Sequence, residues 1–416
     1  MNRIRIYNWQ KISLFNLFLV SLLGVTLRYK IAFSLPFIDQ KFLLEAHSHF
    51  AFAGWVSQVL MAFIVKYLYE KDVNIQMKKY QRLLLANIIT AYGMLLSFPF
   101  QGYGAISIIF STLNIFVSYA FAFFVWKDLN SLKANCVSHN WFKASLAFNA
   151  FSSLGVFLLA FMLATKSVQT NLYLATEYFF LHFQYNGWFF FACMGLLQAY
   201  MISKNIAPAN KISKMIFWLF FIAAIPAYFL SALWLPIPIW VYVMVVIAAA
   251  IQCVGFIILM NHLVKSRKLV AQNLSKQTKL LWLFALIALV IKLSLQMVSV
   301  VPSLSTLTVG FRPIVIGYLH LVLLGVITIF LIGYFTEVNA VHHKSFYTGV
   351  TIFVGGIIIN EILLMIEGAA ALTYTSIPFI NELLFVAALI MFSGLLVLNV
   401  SIRNRTDEKS FALLTS

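Results

Sequence analysis

Charge is what this sequence has least of. Only 10% of its 416 residues are Asp, Glu, Lys or Arg, and the acidic ones number 12. A water-soluble domain carries about 25% charged residues to cover its surface, so a soluble fold is excluded. Cysteine is scarce too. Cys136, Cys193 and Cys253 form no CxxC pair, which argues against a disulfide framework and against a thiolate metal site. No linker is long enough to separate two domains, so the expectation is a single membrane domain, 1–416. No basic–aromatic module is present either, and nucleic acid is not expected as a partner.

What the chain has instead is apolar length. It is 62% hydrophobic, holds 41 Phe and has a mean hydropathy of +0.93. Apolar runs of about 20 residues mark membrane helices, the spanning structure that satisfies its own backbone. Twelve such runs are present: 12–33, 42–69, 83–100, 105–126, 142–165, 172–201, 212–233, 236–262, 280–302, 312–336, 346–370 and 378–402. The expected fold is all-α, a polytopic twelve-helix transmembrane bundle. Arg3, Arg5 and Lys11 precede the first run, but no small-residue cleavage site follows it, and Arg28 and Lys30 come at once. It reads as a retained helix.

With a cytoplasmic N-terminus, the large majority of the 29 Lys and Arg fall on the cytoplasmic side, which is the orientation rule of membrane proteins. The expected location is a membrane, the bacterial inner membrane, with both termini cytoplasmic. The net charge of +17 is then an orientation code and an attraction to the anionic heads of the lipid bilayer.

This orientation places four histidines at one depth. His47 and His49 open the second run, His182 lies within the sixth and His320 within the tenth. At about 1.5 Å rise per residue all four fall in the outer third to outer half of the bilayer. An ionisable group there is costly and usually functional. His139 and His342–His343 fall in loops and His262 at a helix end, where they read as solvated groups. Residues two apart on a helix point about 200° apart, so His47 and His49 serve different sides. Ser48, Ala51, Ala53 and Gly54 beside them leave room for a flat ligand or a neighbouring helix.

Three segments carry a resemblance. His49-Phe50-Ala51-Phe52-Ala53-Gly54, His320-Leu321-Val322-Leu323-Leu324-Gly325 and His182 through Trp188, with the topology, resemble subunit I of the heme–copper oxidase superfamily, nearest its nitric oxide reductase branch. The resemblance implies a low-spin heme b clamped by His47 or His49 and by His320. It implies a non-heme copper or iron on His182, and a separate electron donor, a quinol or a cytochrome. The departures are specific. Tyr318 stands where the family has the proximal histidine of its active heme, and the seventh run holds no histidine where the family has a pair. That leaves a degenerate binuclear site, in which Tyr318 and His182 bound a second heme or a mononuclear metal. Small-gas binding is expected there more than catalysis, and oxidoreductase turnover stays open.

Arg28, Lys30, Lys41 and Arg312 lie at outer helix ends, where they suit heme propionates or lipid phosphates equally. Lys292 and Gln296 share one helix face, and Asn360, Glu361 and Glu367 lie in the eleventh run. They are candidates for ion pairs or proton carriers. The competing expectation is a polytopic transporter without heme, built on these buried groups and on a helix broken at Pro226.

Overall fold

The computed structural model describes residues 2–132, 136–301, 303–304, 311–341 and 343–414, with side chains described from 6 to 402. His342 lies outside the described residues. Every regular element among them is helical. In chain order these are α1 (Asn2–Phe33), α2 (Gln40–Lys71), α3 (Met77–Gln101), α4 (Ala105–Ser131), α5 (Val137–Ala164), α6 (170–203) and α7 (Asn210–Ala224). Then come α8 (Ile239–Lys265), α9 (Lys276–Ser299), α10 (Arg312–Val338), α11 (Lys344–Leu372) and α12 (Ile380–Leu414). A short helix, Arg267–Asn273, lies between α8 and α9.

Among the described residues ten of these are long and apolar enough to cross a membrane, so the chain is an all-helical, multi-spanning membrane protein. The expected count of twelve is not reached. The two that fall outside are α6 and α7. The first is interrupted by Glu177, His182, Gln184, Asn186 and Gln198. The second has only 15 residues, because Pro226 has no N–H to continue it and a 3-10 turn, Pro226–Ser231, follows.

Local sequence explains several boundaries. Asp39 caps α2, its carboxylate accepting from the Phe42 amide at 2.9 Å. Ser275 caps α9 in the same way through Thr278. Both satisfy an N–H that the helix itself leaves unpaired. Gly102, at φ 53°, stops α3, in a backbone region open to glycine.

The chain divides into two compact units. The first comprises residues 1–69, 74–117 and 331–416; the second comprises 70–73 and 118–330. In the first unit α11 and α12 meet at glycines. A Cβ on Gly349 would lie 2.6 Å from the Leu398 backbone nitrogen, and one on Gly394 2.5 Å from that of Phe353. Backbones that approach so closely need small residues, the usual device for helix pairs in lipid. α1 packs on α12 with the Phe18 and Phe392 rings stacked at 4.8 Å.

The second unit is centred on rings. Trp141 of α5, 1% exposed, packs among Phe191 of α6 and Phe217 and Phe220 of α7. Phe148 bridges Phe183 and Phe191.

Two expectations about polar positions are corrected. His139 is not a solvated loop group. It lies in the first turn of α5 and is 2% exposed, because the helix begins earlier than the apolar run does. His262 is half-buried at the end of α8, where Nε2–H donates to the Ile206 carbonyl at 2.7 Å. His343 is exposed, as expected.

Candidate functional site

Three helices change their winding within two residues after a histidine. In α2 the π turn Ala51–Ser57 follows His49; in α6 the turn Phe183–Phe189 follows His182; in α10 the turn Leu321–Thr328 follows His320. A π turn is rare, carries i→i+5 bonds and is frequent at functional sites. In each case glycine stands five residues after the histidine, at Gly54, Gly187 and Gly325. A Cβ on Gly187 would fall 2.6 Å from the Phe148 Cβ, so this position requires glycine for α5 and α6 to touch. The common spacing was visible in the sequence. The change of winding was not.

In the first unit His47 turns toward α1. Its Nδ1 lies 3.1 Å from the Val20 carbonyl oxygen. A carbonyl only accepts, so Nδ1 carries the proton and Nε2 the lone pair. His49 turns the other way. Its ring stacks on Phe98 at 4.5 Å and its Nε2 meets the Tyr103 hydroxyl at 3.1 Å.

The π turn behind them is held by a polar lattice that sequence reasoning missed. Asn16 of α1 donates to the Gly54 carbonyl at 2.6 Å. Asn87 of α3 donates to the Ala53 carbonyl at 3.0 Å and to Gln58 Oε1 at 2.7 Å. Tyr92 donates to Asn16 and Asn114 to Asn87, each at 2.9 Å. Asn16, Gln58 and Asn87 are at most 2% exposed. The available signal was amides recurring inside apolar runs. Lipid offers them no partner, so they must find one another.

In the second unit His182 is 1% exposed and uses both ring nitrogens. Nε2–H donates to the Ala224 carbonyl at 2.9 Å, and Nδ1 accepts from Asn186 Nδ2 at 3.2 Å. Ala224 is the last residue of α7. Its carbonyl is one of those a helix end leaves unpaired, and His182 satisfies it. Tyr228, in the turn after the break, donates to the Ala175 carbonyl of α6 at 2.9 Å. His182 is thus a brace across the interruption of α7. A metal there would have to displace one of these bonds.

Lys292 of α9 lies in the same unit and is 6% exposed. Its ammonium sits 6.0 Å from the centre of the Phe190 ring, and its charge bears on His182 and Cys253. Gln296, one turn on, has a buried Oε1 that accepts no hydrogen bond among the described residues. Tyr318 of α10 meets Tyr185 of α6 edge to face at 6.3 Å. His320 donates Nδ1–H to the Ile316 carbonyl of its own helix at 2.9 Å. Arg312 is exposed at the start of α10, and in the first unit Lys30 directs its ammonium to the Leu35 carbonyl. Glu361 accepts from Asn360 at 3.1 Å, and Arg28 is the cation whose charge bears on it.

Among the described residues no group of three or more His, Cys, Asp or Glu side chains is placed to hold a metal ion. The buried ionisable groups among the described residues include His139, His182 and Lys292, and Glu361 is half-buried in α11. No family model matches the chain, and no curated protein matches it. What stands is a large, mostly helical, multi-spanning membrane protein with buried His, Lys and Glu in its helices.

Proposed function

We propose that the chain is a membrane transporter for a small anionic solute, with Lys292 as its fixed cation. The observation that carries this reading is a buried ammonium in the same unit as an interrupted helix. Lys292 has no carboxylate partner among the described residues, and its neighbours are His182, Cys253 and the Phe190 ring. An ionisable group in the hydrocarbon region is costly unless it serves a solute or a counter-charge. Transporters typically bind solute near the midplane, where a helix is discontinuous. The break after Ala224, braced by His182, meets that description. The unsatisfied Gln296 oxygen adds an acceptor for a protonated or hydroxylated solute.

The test is reconstitution into liposomes and measurement of charge movement with a panel of small organic and inorganic anions. A current for some members, lost in Lys292→Met, is the expected result. No current with any of them, or an unaltered current in Lys292→Met, overturns it.

A second reading is favoured by a different observation. His47 and His320 each donate Nδ1–H to a backbone carbonyl. That bond fixes the tautomer with the proton on Nδ1, the arrangement found in protein ligands to iron. With the π turns beside them, this supports the resemblance to heme–copper oxidase subunit I in a reduced form, with heme b as cofactor and electrons from a separate donor. Bound heme would supply one-electron transfer. The second centre fits less well, since His182 has both nitrogens engaged and no three-ligand group accompanies it among the described residues. A reduced-minus-oxidised optical spectrum of the purified protein decides this reading. A sharp band lost in His320→Ala supports it, and its absence after heme-replete expression removes it.

A further inference from the structure

We propose that the second unit carries a binding site for one anionic phospholipid in the groove between α4 and α5. The groove has a volume of about 450 Å³, within the range of roughly 300–1,000 Å³ typical of ligand sites. α4 is the least enclosed of the ten candidate spans, with only 11% of its apolar window buried, so this side of the unit faces lipid.

The two helices are pinned at both ends of the groove and held apart in between. At one end the Tyr119 and Ser153 hydroxyls hydrogen-bond. At the other the Lys143 ammonium sits 5.8 Å from the centre of the Trp126 ring. Between these points Ala122 and Phe123 on α4 and Leu146, Ala147 and Ala150 on α5 line the groove, so the walls are apolar and three of the five are alanine. The small alanines leave an apolar slot, a lining suited to an acyl chain.

The polar residues lie only at the Trp126 end. Lys127 and Asn130 line the groove there, beside Lys143. Trp126 is 42% exposed, and tryptophan is enriched at the membrane–water boundary. An apolar slot ending in two lysines, an amide and an interfacial tryptophan matches a lipid with a negative head. The lysines would hold the phosphate, Asn130 would donate to its ester oxygens, and one chain would fill the slot. Asp128, the acidic neighbour in sequence, is half-buried. Lys127 in the groove and Lys143 at the Trp126 ring outnumber it, so the excess charge at the mouth is positive.

The purified full-length protein is titrated in detergent with phosphatidylglycerol and, separately, with phosphatidylcholine. Bound lipid is counted by native mass spectrometry. The expected result is preferential retention of phosphatidylglycerol. Each lysine is worth about fivefold in binding to anionic lipid, so Lys127→Gln with Lys143→Gln should weaken retention by about tenfold or more and erase the preference. Ala147→Phe should block the slot and release both lipids. Millimolar inorganic phosphate should not compete, because a free phosphate gains nothing from the slot. Equal retention of the two lipids by the unaltered protein overturns the proposal. So does a preference that survives the double substitution, or full competition by phosphate. Lys127 is exposed, so Lys127→Gln alone, with an unshifted melting temperature, carries the test if the double variant does not fold.

Discussion

The two units meet the same problem, a π turn inside a membrane helix, and answer it in opposite ways. In the first unit neighbouring helices reach in. Asn16 and Asn87 take the carbonyls of Gly54 and Ala53 within the turn of α2. In the second unit the turn of α6 reaches out. Gln184 donates to Asn149 at 2.9 Å and to Ser152 at 2.7 Å, both on α5, and His182 braces the end of α7. The consequence is a difference between the histidines. Among the described residues His47 makes one hydrogen bond, to Val20, which leaves the lone pair on Nε2. His182 has both nitrogens committed to the fold. Residues of one type at one expected depth thus do different work, which a count of histidines does not disclose.

The packing around these turns differs likewise. The first unit relies on backbone contact at glycines, the second on interlocked rings. The largest expected effect follows from that difference. Gly394→Leu drives a side chain into the backbone of α11, where nothing can rotate away, and overpacking costs about 3 kcal/mol or more. Gly187→Leu meets the Cβ of a single side chain, Phe148, rather than the backbone of two residues, Phe353 and Gly349, and should cost less. Thermal unfolding in detergent should rank Gly394→Leu as the less stable. The reverse order would break the contrast between backbone and ring packing.

Next is His182→Ala. It removes a buried side chain and strands the Ala224 carbonyl and Asn186, a loss of about 2–3 kcal/mol. His47→Ala removes one bond from a half-buried ring and should cost roughly 1 kcal/mol. Denaturant titration of both variants checks this, and equal losses would mean that His47 is as structural as His182.

Asn87→Leu deletes two donated bonds and one accepted bond in the first unit. Interhelical bonds in membranes average about 0.6 kcal/mol each, so a loss of about 2 kcal/mol is expected by the same titration. Hydrogen exchange should also speed up in 51–57 and not in 183–189. The smallest effect is assigned to Tyr103→Phe, which removes only the hydroxyl that meets His49. A change of at most about 1 kcal/mol is expected. A larger loss on melting would show His49 to be held by that bond rather than by its stacking on Phe98.

Much of the fold was legible because hydropathy acts locally. A run such as 105–126 carries no charged residue and is mostly apolar, and lipid permits it only one conformation, so α4 follows from composition alone. α6 and α7 were legible as helical segments but not as spans comparable to the others. Their polar residues and Pro226 only acquire meaning from what they touch. His182 shows the same limit: its residue type marked it as unusual, but its partner, the carbonyl of Ala224, lies 42 positions away. Asn16, Asn87 and Asn114 were overlooked because a single amide in an apolar run carries no periodic signal.

By itself the sequence determined the solvent, the helical class, most of the helix boundaries and the recurrence of histidine with glycine five residues on. Each depends on the chemistry of consecutive residues, or of residues a turn apart. Only the tertiary structure decided which nitrogen of each histidine is engaged, that the helices rewind at those glycines, and that Lys292 has no carboxylate beside it among the described residues. Those outcomes depend on which distant backbone groups are left unpaired. In a medium that supplies no hydrogen bonds, an unpaired group takes whichever partner the packing brings within reach.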